Sequence, residues 1–306
     1  MQAACAWLAV CCWGVAIGCD TADDRKPVLP DAAATRRAQA AYDHAAKLAG
    51  AGRLEAAAQQ VASALQHDST LVRAHLLQGV VLERLDQLDE ADRAFSEAAR
   101  LDPEHPDPPL HRARVERMRQ LDAQIAEARR SLASSPASGP AHRALADLLL
   151  ERRRANAALV HYGRALRRDP LDAVAHSGQA VALVGLGRQV RGLYHASEAL
   201  RLEPDDPRAL GELLWVLATS SEPTLRAPED AIRRAEATSV RSPRILDALA
   251  AAYAAAGRYD EAAETARRAI TAATTAGDHS RAHAIERRLA LYQRQESFVG
   301  PPVDPG

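Results

Sequence analysis

The sequence predicts an all-α array of short helices stacked in register, and three observations predict it. Alanine supplies much of the apolar fraction while aromatic residues are only 4% of the chain. That composition favours helix, because Ala gives up no side-chain entropy there and Arg and Glu give up little. Pro103, Pro136, Pro170 and Pro204 are spaced 33, 34 and 34 residues apart, and each closes a similar phrase: "AARLDP", "SLASSP", "ALRRDP", "ALRLEP". Upstream of these prolines, small residues recur at fixed distances. No strand is expected anywhere.

The bulk numbers set limits. A chain of 306 residues can form two domains or one elongated array. With 47% hydrophobic and 26% charged residues it is not disordered. A net charge of −1, with no basic face in the run of charges, gives no pull toward nucleic acid.

Residues 1–18 read as a signal peptide. Ala3 to Gly18 carries no charge, and its sixteen residues fall short of the roughly 20 that span a bilayer. The stretch suits the apolar core of a secretory signal. All four cysteines, Cys5, Cys11, Cys12 and Cys19, lie at this end. The segment closes on "AIGC", which resembles the lipobox of bacterial lipoproteins: small or apolar residues, then Gly or Ala, then an obligatory Cys. The resemblance implies acylation at Cys19 and cleavage of the bond before it. Cleavage removes the other three cysteines, so no disulfide is needed in an oxidising compartment. The expectation is a chain lipid-anchored on the extracytoplasmic face of a bacterial membrane, with Asp20 favouring the inner one. No Lys or Arg precedes Arg25, so a plain signal anchor or a cytosolic chain stays open at this stage. Residues 19–36, with their charges and two prolines, read as a flexible tether.

The repeat follows. Twelve residues before the closing Pro stand Ala91, Ala158 and Gly192; five before it stand Ala98, Ala165 and Ala199; twenty-four before it stand Gly79, Ala146 and Ala180. The same columns hold Ala45, Ala57 and Ala64 early in the chain, and Ala250, Ala262 and Ala269 late in it. Small residues at fixed columns let antiparallel helices approach closely, and a large neighbour such as Phe95 or Tyr162 fills the gap beside them. Proline follows the second helix of each unit because it cannot continue that helix and starts the next one cheaply.

The phased pattern resembles the tetratricopeptide repeat (TPR), a 34-residue helix–turn–helix unit. The resemblance implies a right-handed superhelical solenoid over residues 37–277, in seven units near 38–71, 72–104, 105–138, 139–172, 173–206, 207–242 and 243–276. Gly52, Asp86 and Gly257 mark turns within units. The third unit departs from the pattern, with Arg112 and Gln124 in columns expected to be small. The sixth is stretched by "TSSEPTLRAPE", residues 219–229, read as an inserted loop. Residues 278–297 read as an amphipathic helix capping the open end, and 298–306 as a disordered tail.

The chemistry-bearing residues form no recognisable catalytic set. His75, His142 and His176 share one repeat position, and His161 and His195 another. Equivalent positions in stacked repeats sit on the order of 10 Å apart, too far to share a zinc with ligands about 2 Å from the metal. "GLGRQVRG", 185–192, follows no strand, so its glycines read as turn and crossing positions and not as a phosphate loop. No nucleophile elbow, HExxH or triad is found. No enzyme, cofactor or metal is expected.

What remains is a surface. In TPR proteins the first helix of each unit lines a concave groove. Carried onto this chain, that implies a peptide groove at Arg143, Asp147, Val181, Val184, Arg208, Trp215 and Arg244, apolar toward the later units. The favoured function is a membrane-tethered interaction scaffold, an assembly factor or adaptor that holds a protein or peptide in the groove. The alternative is a ligand-presenting accessory component of a solute transport system. Trp215 either opens into the groove or packs under loop 219–229 or the seventh unit.

Overall fold

The computed structural model describes residues 32–300. Cys19, the signal peptide, most of the tether and residues 301–306 lie outside the described residues. Fourteen α-helices and no strand occur among them. In chain order these are α1 (Ala32–Gly50), α2 (Leu54–His67), α3 (Val72–Arg84), α4 (Leu88–Leu101), α5 (Asp107–Ser134), α6 (Gly139–Glu151), α7 (Ala155–Arg168), α8 (Ala173–Gly185), α9 (Gln189–Leu202), α10 (Pro207–Thr219), α11 (Pro228–Ala237), α12 (Pro243–Ala255), α13 (Tyr259–Thr275) and α14 (His279–Tyr292). Most pack mainly on their sequence neighbours, as a solenoid requires, while α10 packs most closely on α12 across the short α11.

The columns of small residues are the crossing points. Ala45, Ala57, Ala64, Ala91, Ala98, Ala146, Ala158, Ala165, Ala180, Ala199, Ala250, Ala262 and Ala269 are all buried, and Phe95 and Tyr162 fill the space beside them. A Cβ on Gly79 would overlap the Phe95 ring, and one on Gly178 the Tyr162 ring. The pairs α1/α2, α3/α4, α8/α9 and α12/α13 each turn on a residue in the left-handed region, Gly52, Asp86, Gly187 and Gly257 respectively, and Arg153 does the same for α6/α7. Glycine is suited to that conformation; Asp86 and Arg153 adopt it at φ 63 without being glycine. The first helices from the fourth unit on begin with a side-chain cap: Ser138, Asp172, Asp206 and Ser242 each accept a backbone N–H of the first turn.

Three expectations need correction. The third unit is not a helix–turn–helix. It is one 28-residue helix, α5. Residues 110–134 contain no Gly or Pro to break it, and Arg112 and Gln124, standing where small residues would allow a crossing, are exposed. Its two halves serve different cores: Val115 packs with Ala91 and Phe95, while Ile125 and Leu132 join Leu145, Leu149 and Tyr162. Second, α1 begins at Ala32, inside the segment read as tether. Third, the final helix ends at Tyr292, and the start of the expected tail is packed: Phe298 lies on Trp215 and the Gly300 N–H donates to the Thr219 carbonyl at 2.8 Å. The insertion in the sixth unit is present between α10 and α11. It is pinned by a buried Ser220–Gln189 hydrogen bond of 2.7 Å.

Candidate functional site

The first helices α6, α8 and α10 pack side by side. On them the structure brings four of the seven expected groove residues to a common, partly open face. Arg143 on α6 pairs with Asp172, the cap of α8, at 2.8 Å. One turn along α6, Asp147 accepts from the Tyr162 hydroxyl at 2.7 Å and from Arg208 Nη1 of α10 at 3.3 Å. Val181 lies half-buried on the intervening α8. A shallow concavity lined by Val174, Ser177, Pro204, Asp206 and Arg208 adjoins them. Burial, helped by the Asp147 carboxylate, pushes the Tyr162 hydroxyl well above its ordinary pKa, so it stays a donor. The face is of mixed charge, with an apolar strip between its ion pairs.

Of the other three, Val184 and Trp215 are closed to solvent and Arg244 is only partly exposed. Val184 is fully buried, because its Cγ2 fills the notch at Gly192. Arg244 lies along Gly211 and pairs with the fully buried carboxylate of Glu212. Trp215 is 3% exposed. It packs in one cluster with Leu246 and Leu249 of the seventh unit, which Leu225 of the inserted loop joins; the Phe298 ring lies 5.8 Å from its ring, and the Arg288 guanidinium sits 5.0 Å from its ring centre. Arg288, on α14, also holds the buried Asp247 of α12 by two hydrogen bonds, at 3.1 and 2.6 Å. Burial pushes the Asp247 carboxyl up, against the opposing pull of Arg288. The capping helix and the segment after it therefore close the end of the face that the sequence reads as an apolar groove. Arg288, Phe298 and Glu212 escaped sequence reasoning because the repeat pattern assigns a groove position to each helix separately. It carries no signal for what lies across it.

The histidines at shared repeat positions pair within units. His142 Nδ1 lies 3.0 Å from His161 Nδ1, and His176 Nδ1 lies 2.9 Å from His195 Nδ1. His142 Nε2 and His176 Nε2 contact the carbonyls of Pro136 and Pro170, both at 3.1 Å. A carbonyl only accepts, so these nitrogens donate. The facing Nδ1 atoms then accept from His161 and His195. Burial lowers the pKa of His161, with His142, Arg164 and Arg129 adding to it. His195 is pushed down to about 4 by burial, the neighbouring His176 and Arg191, against the weaker pull of Glu198. Among the described residues no group of three or more His, Cys, Asp or Glu is placed to hold a metal ion. No described helix is long and apolar enough to cross a membrane.

Comparison with known proteins identifies the repeat. The tetratricopeptide repeat family model matches residues 72–105 and 243–275, the second and seventh units. The chain is thus an all-helical solenoid that carries tetratricopeptide repeats. No curated protein sequence matches it. Among solved structures, a tetratricopeptide repeat protein from Parabacteroides merdae is 13% identical, with 84% of this chain and 99% of that one covered, at a TM-score of 0.44. Pseudomonas aeruginosa pilF is 15% identical, with 77% and 91% covered, at a TM-score of 0.37. YrrB, a TPR protein with an unusual peptide-binding site, is 22% identical, with 56% and 88% covered, at a TM-score of 0.29.

Proposed function

We propose that this chain is a non-catalytic interaction scaffold, tethered to the extracytoplasmic face of a bacterial envelope membrane by a lipid on Cys19. It holds an extended segment of a partner protein against the α6–α8–α10 face. One observation carries the reading: Arg143, Asp147 and Arg208, from two non-consecutive helices, stand half-exposed beside the apolar Val174 and Val181. Partly solvated ion pairs next to small aliphatic side chains offer a peptide both backbone partners and an apolar footing. Each such pair contributes little to the fold on its own.

Two measurements test it. Cys19→Ser should move the protein from the membrane to the soluble fraction, and the wild type should carry the mass of a lipid; an unlipidated wild type that still sediments with membranes rejects the tether. Arg143→Ala combined with Arg208→Ala should abolish capture of a crosslinked partner from intact cells without loss of helicity. Capture at the wild-type level by a folded double variant rejects the groove.

A further inference from the structure

We propose that Trp215, Arg288 and Thr219 form a cradle for an aromatic side chain of an extended peptide. The chain's own segment around Phe298 occupies this cradle, and a partner peptide bearing an aromatic residue displaces it. The inference deepens the scaffold reading and rests on it for its biological use.

The cradle has three parts. Trp215 supplies an apolar wall, with the Phe298 ring tilted 45° to it at 5.8 Å. Arg288 supplies a cation that reaches both rings, 5.0 Å from the Trp215 centre and 5.8 Å from that of Phe298. The guanidinium is held from behind by the buried Asp247 carboxylate, so it is fixed before anything docks. Cation–ring attraction is strongest where water is excluded, as it is here. Thr219, the last residue of α10, offers its carbonyl to the N–H two residues beyond the ring, at 2.8 Å in the resident segment. A ligand in the resident's pose is thus read as an aromatic residue, any residue, then glycine, because Gly300 presents its N–H from a φ of 144.

The resident segment is lightly held. Phe298 is only partly buried and Val299 is 47% exposed. Gln293 to Ser297, which lead into it, are exposed. By contrast α14 itself is locked by Ile285, Tyr292 and the Arg288 pair, all buried. The segment can therefore leave while the capping helix stays. The Trp215 indole N–H is buried with no acceptor. The resident leaves that donor unsatisfied, and a partner that brings a carbonyl or carboxylate to it binds with an advantage.

A tethered segment competes at an effective concentration in the millimolar range. Releasing it should therefore strengthen binding of the same segment supplied in trans. The probe is a fluorescent synthetic peptide of residues 295–306, titrated by anisotropy against the full chain. Phe298→Ala in the full chain should bind this peptide at least about tenfold more tightly than the wild type does. A peptide whose phenylalanine is replaced by alanine should not bind. Gly300→Pro in the full chain removes the N–H and forbids the φ of 144 that the segment adopts there, and should give an increase in the same direction. If neither variant binds the peptide more tightly than the wild type, or if the peptide without its ring binds equally well, the segment is a fixed cap and the inference is overturned. The probe comes from the chain itself. A failure here therefore leaves the α6–α8–α10 face to its own test, and a failure there leaves this result standing.

Discussion

Arg288 and Asp247 face each other as a buried two-point ion pair, 2.6 and 3.1 Å long, that joins the capping helix α14 to the first helix of the seventh unit. The pair sits where an end-of-array helix has to satisfy two demands. It must cover the apolar core of the seventh unit, and it must do so in one register. Ile285 and Tyr292 supply the cover. The ion pair supplies the register, since sliding α14 along α12 would strand both charges away from water.

Arg288→Ala should therefore destabilise the C-terminal units by about 3–5 kcal/mol, because it leaves the Asp247 carboxylate buried and uncompensated. Urea unfolding monitored at Trp215, in a chain with Trp7 and Trp13 replaced by Phe, reads the effect. Pairing the change with Asp247→Leu should recover much of the loss, since two apolar residues leave no orphan charge. A single variant as stable as the wild type would show that water already reaches the carboxylate.

The glycine at the α8–α9 crossing gives a second expectation. A Cβ on Gly192 would lie 2.5 Å from Val184 Cγ2 and 3.3 Å from the Val184 backbone nitrogen, which cannot rotate away. Gly192→Leu should cost roughly 1–3 kcal/mol through overpacking. Gly185, in the same unit, has nothing within 4 Å of its Cβ position, so Gly185→Ala should be neutral or slightly stabilising. Equal effects of the two changes in thermal melts would contradict the crossing geometry.

How much of this was legible in the sequence follows from what a repeat encodes. The period and the small columns, such as Ala91, Ala158 and Gly192, report contacts within a unit and with the next unit. They locate helices and turns well. The third unit fails because its columns are filled by Arg112 and Gln124: the pattern says that a unit is wrong there but not what replaces it. Trp215, Val184 and Arg244 fail for another reason. Val184 is taken up by the notch at Gly192 and Arg244 by Gly211 and Glu212, while Trp215 is met by α14 and the segment ending in Phe298, which come back over the concave side with no local pattern to announce the return. The His142–His161 pairing was half-visible. Both columns stand out in the sequence, but a column gives the spacing between units, whereas the contact is within one.

The histidine pairs give a pH expectation. His195 is held down to about 4, mainly by burial, against an ordinary value near 6.5 when unfolded. Between those values the unfolded chain binds a proton that the folded one refuses, so stability is full above about pH 6.5 and falls as the pH drops toward 4. His161 acts in the same direction. The groups facing His195 are His176, Arg191 and, with opposite sign, Glu198. His195→Gln should flatten the decline of the melting temperature between pH 6.5 and 4.5. An unchanged slope would assign the acid sensitivity elsewhere.

The long helix α5 sets up the last expectation. Because the third unit has no turn of its own, the end of α6 reaches back across the middle of α5 to the end of α3. Arg152, its side chain only 6% exposed, binds Asp122 of α5 at 3.0 Å and also Asp86, the left-handed residue that ends α3. Arg154 repeats the bridge, at 3.1 Å to Asp122 and 3.2 Å to Asp86. Two acids and two guanidiniums thus clamp the second and fourth units over the irregular one. Elsewhere consecutive units are joined by close packing of small residues; here exposed Arg112 and Gln124 leave less apolar contact. Asp86 and Asp122 are partly exposed, 50% and 34% at the side chain, and can rehydrate when their partner is removed. Arg152→Ala should therefore cost about 1.5–3 kcal/mol, the scale of hydrogen bonds to charged groups, which is less than the Arg288 variant. The loss should be local. Amide exchange should accelerate across residues 107–134 and at the α3 turn, with α12 to α14 unchanged, since units in such an array are coupled mainly to their neighbours. Added salt should narrow the gap between wild type and variant by screening the half-exposed acids. Arg152→Lys should restore only part of the protection, because an ammonium cannot present the fork that spans both carboxylates. If exchange in α5 is unaltered in Arg152→Ala, packing of Val115, Ile125 and Leu132 holds the third unit unaided and the clamp contributes nothing to it.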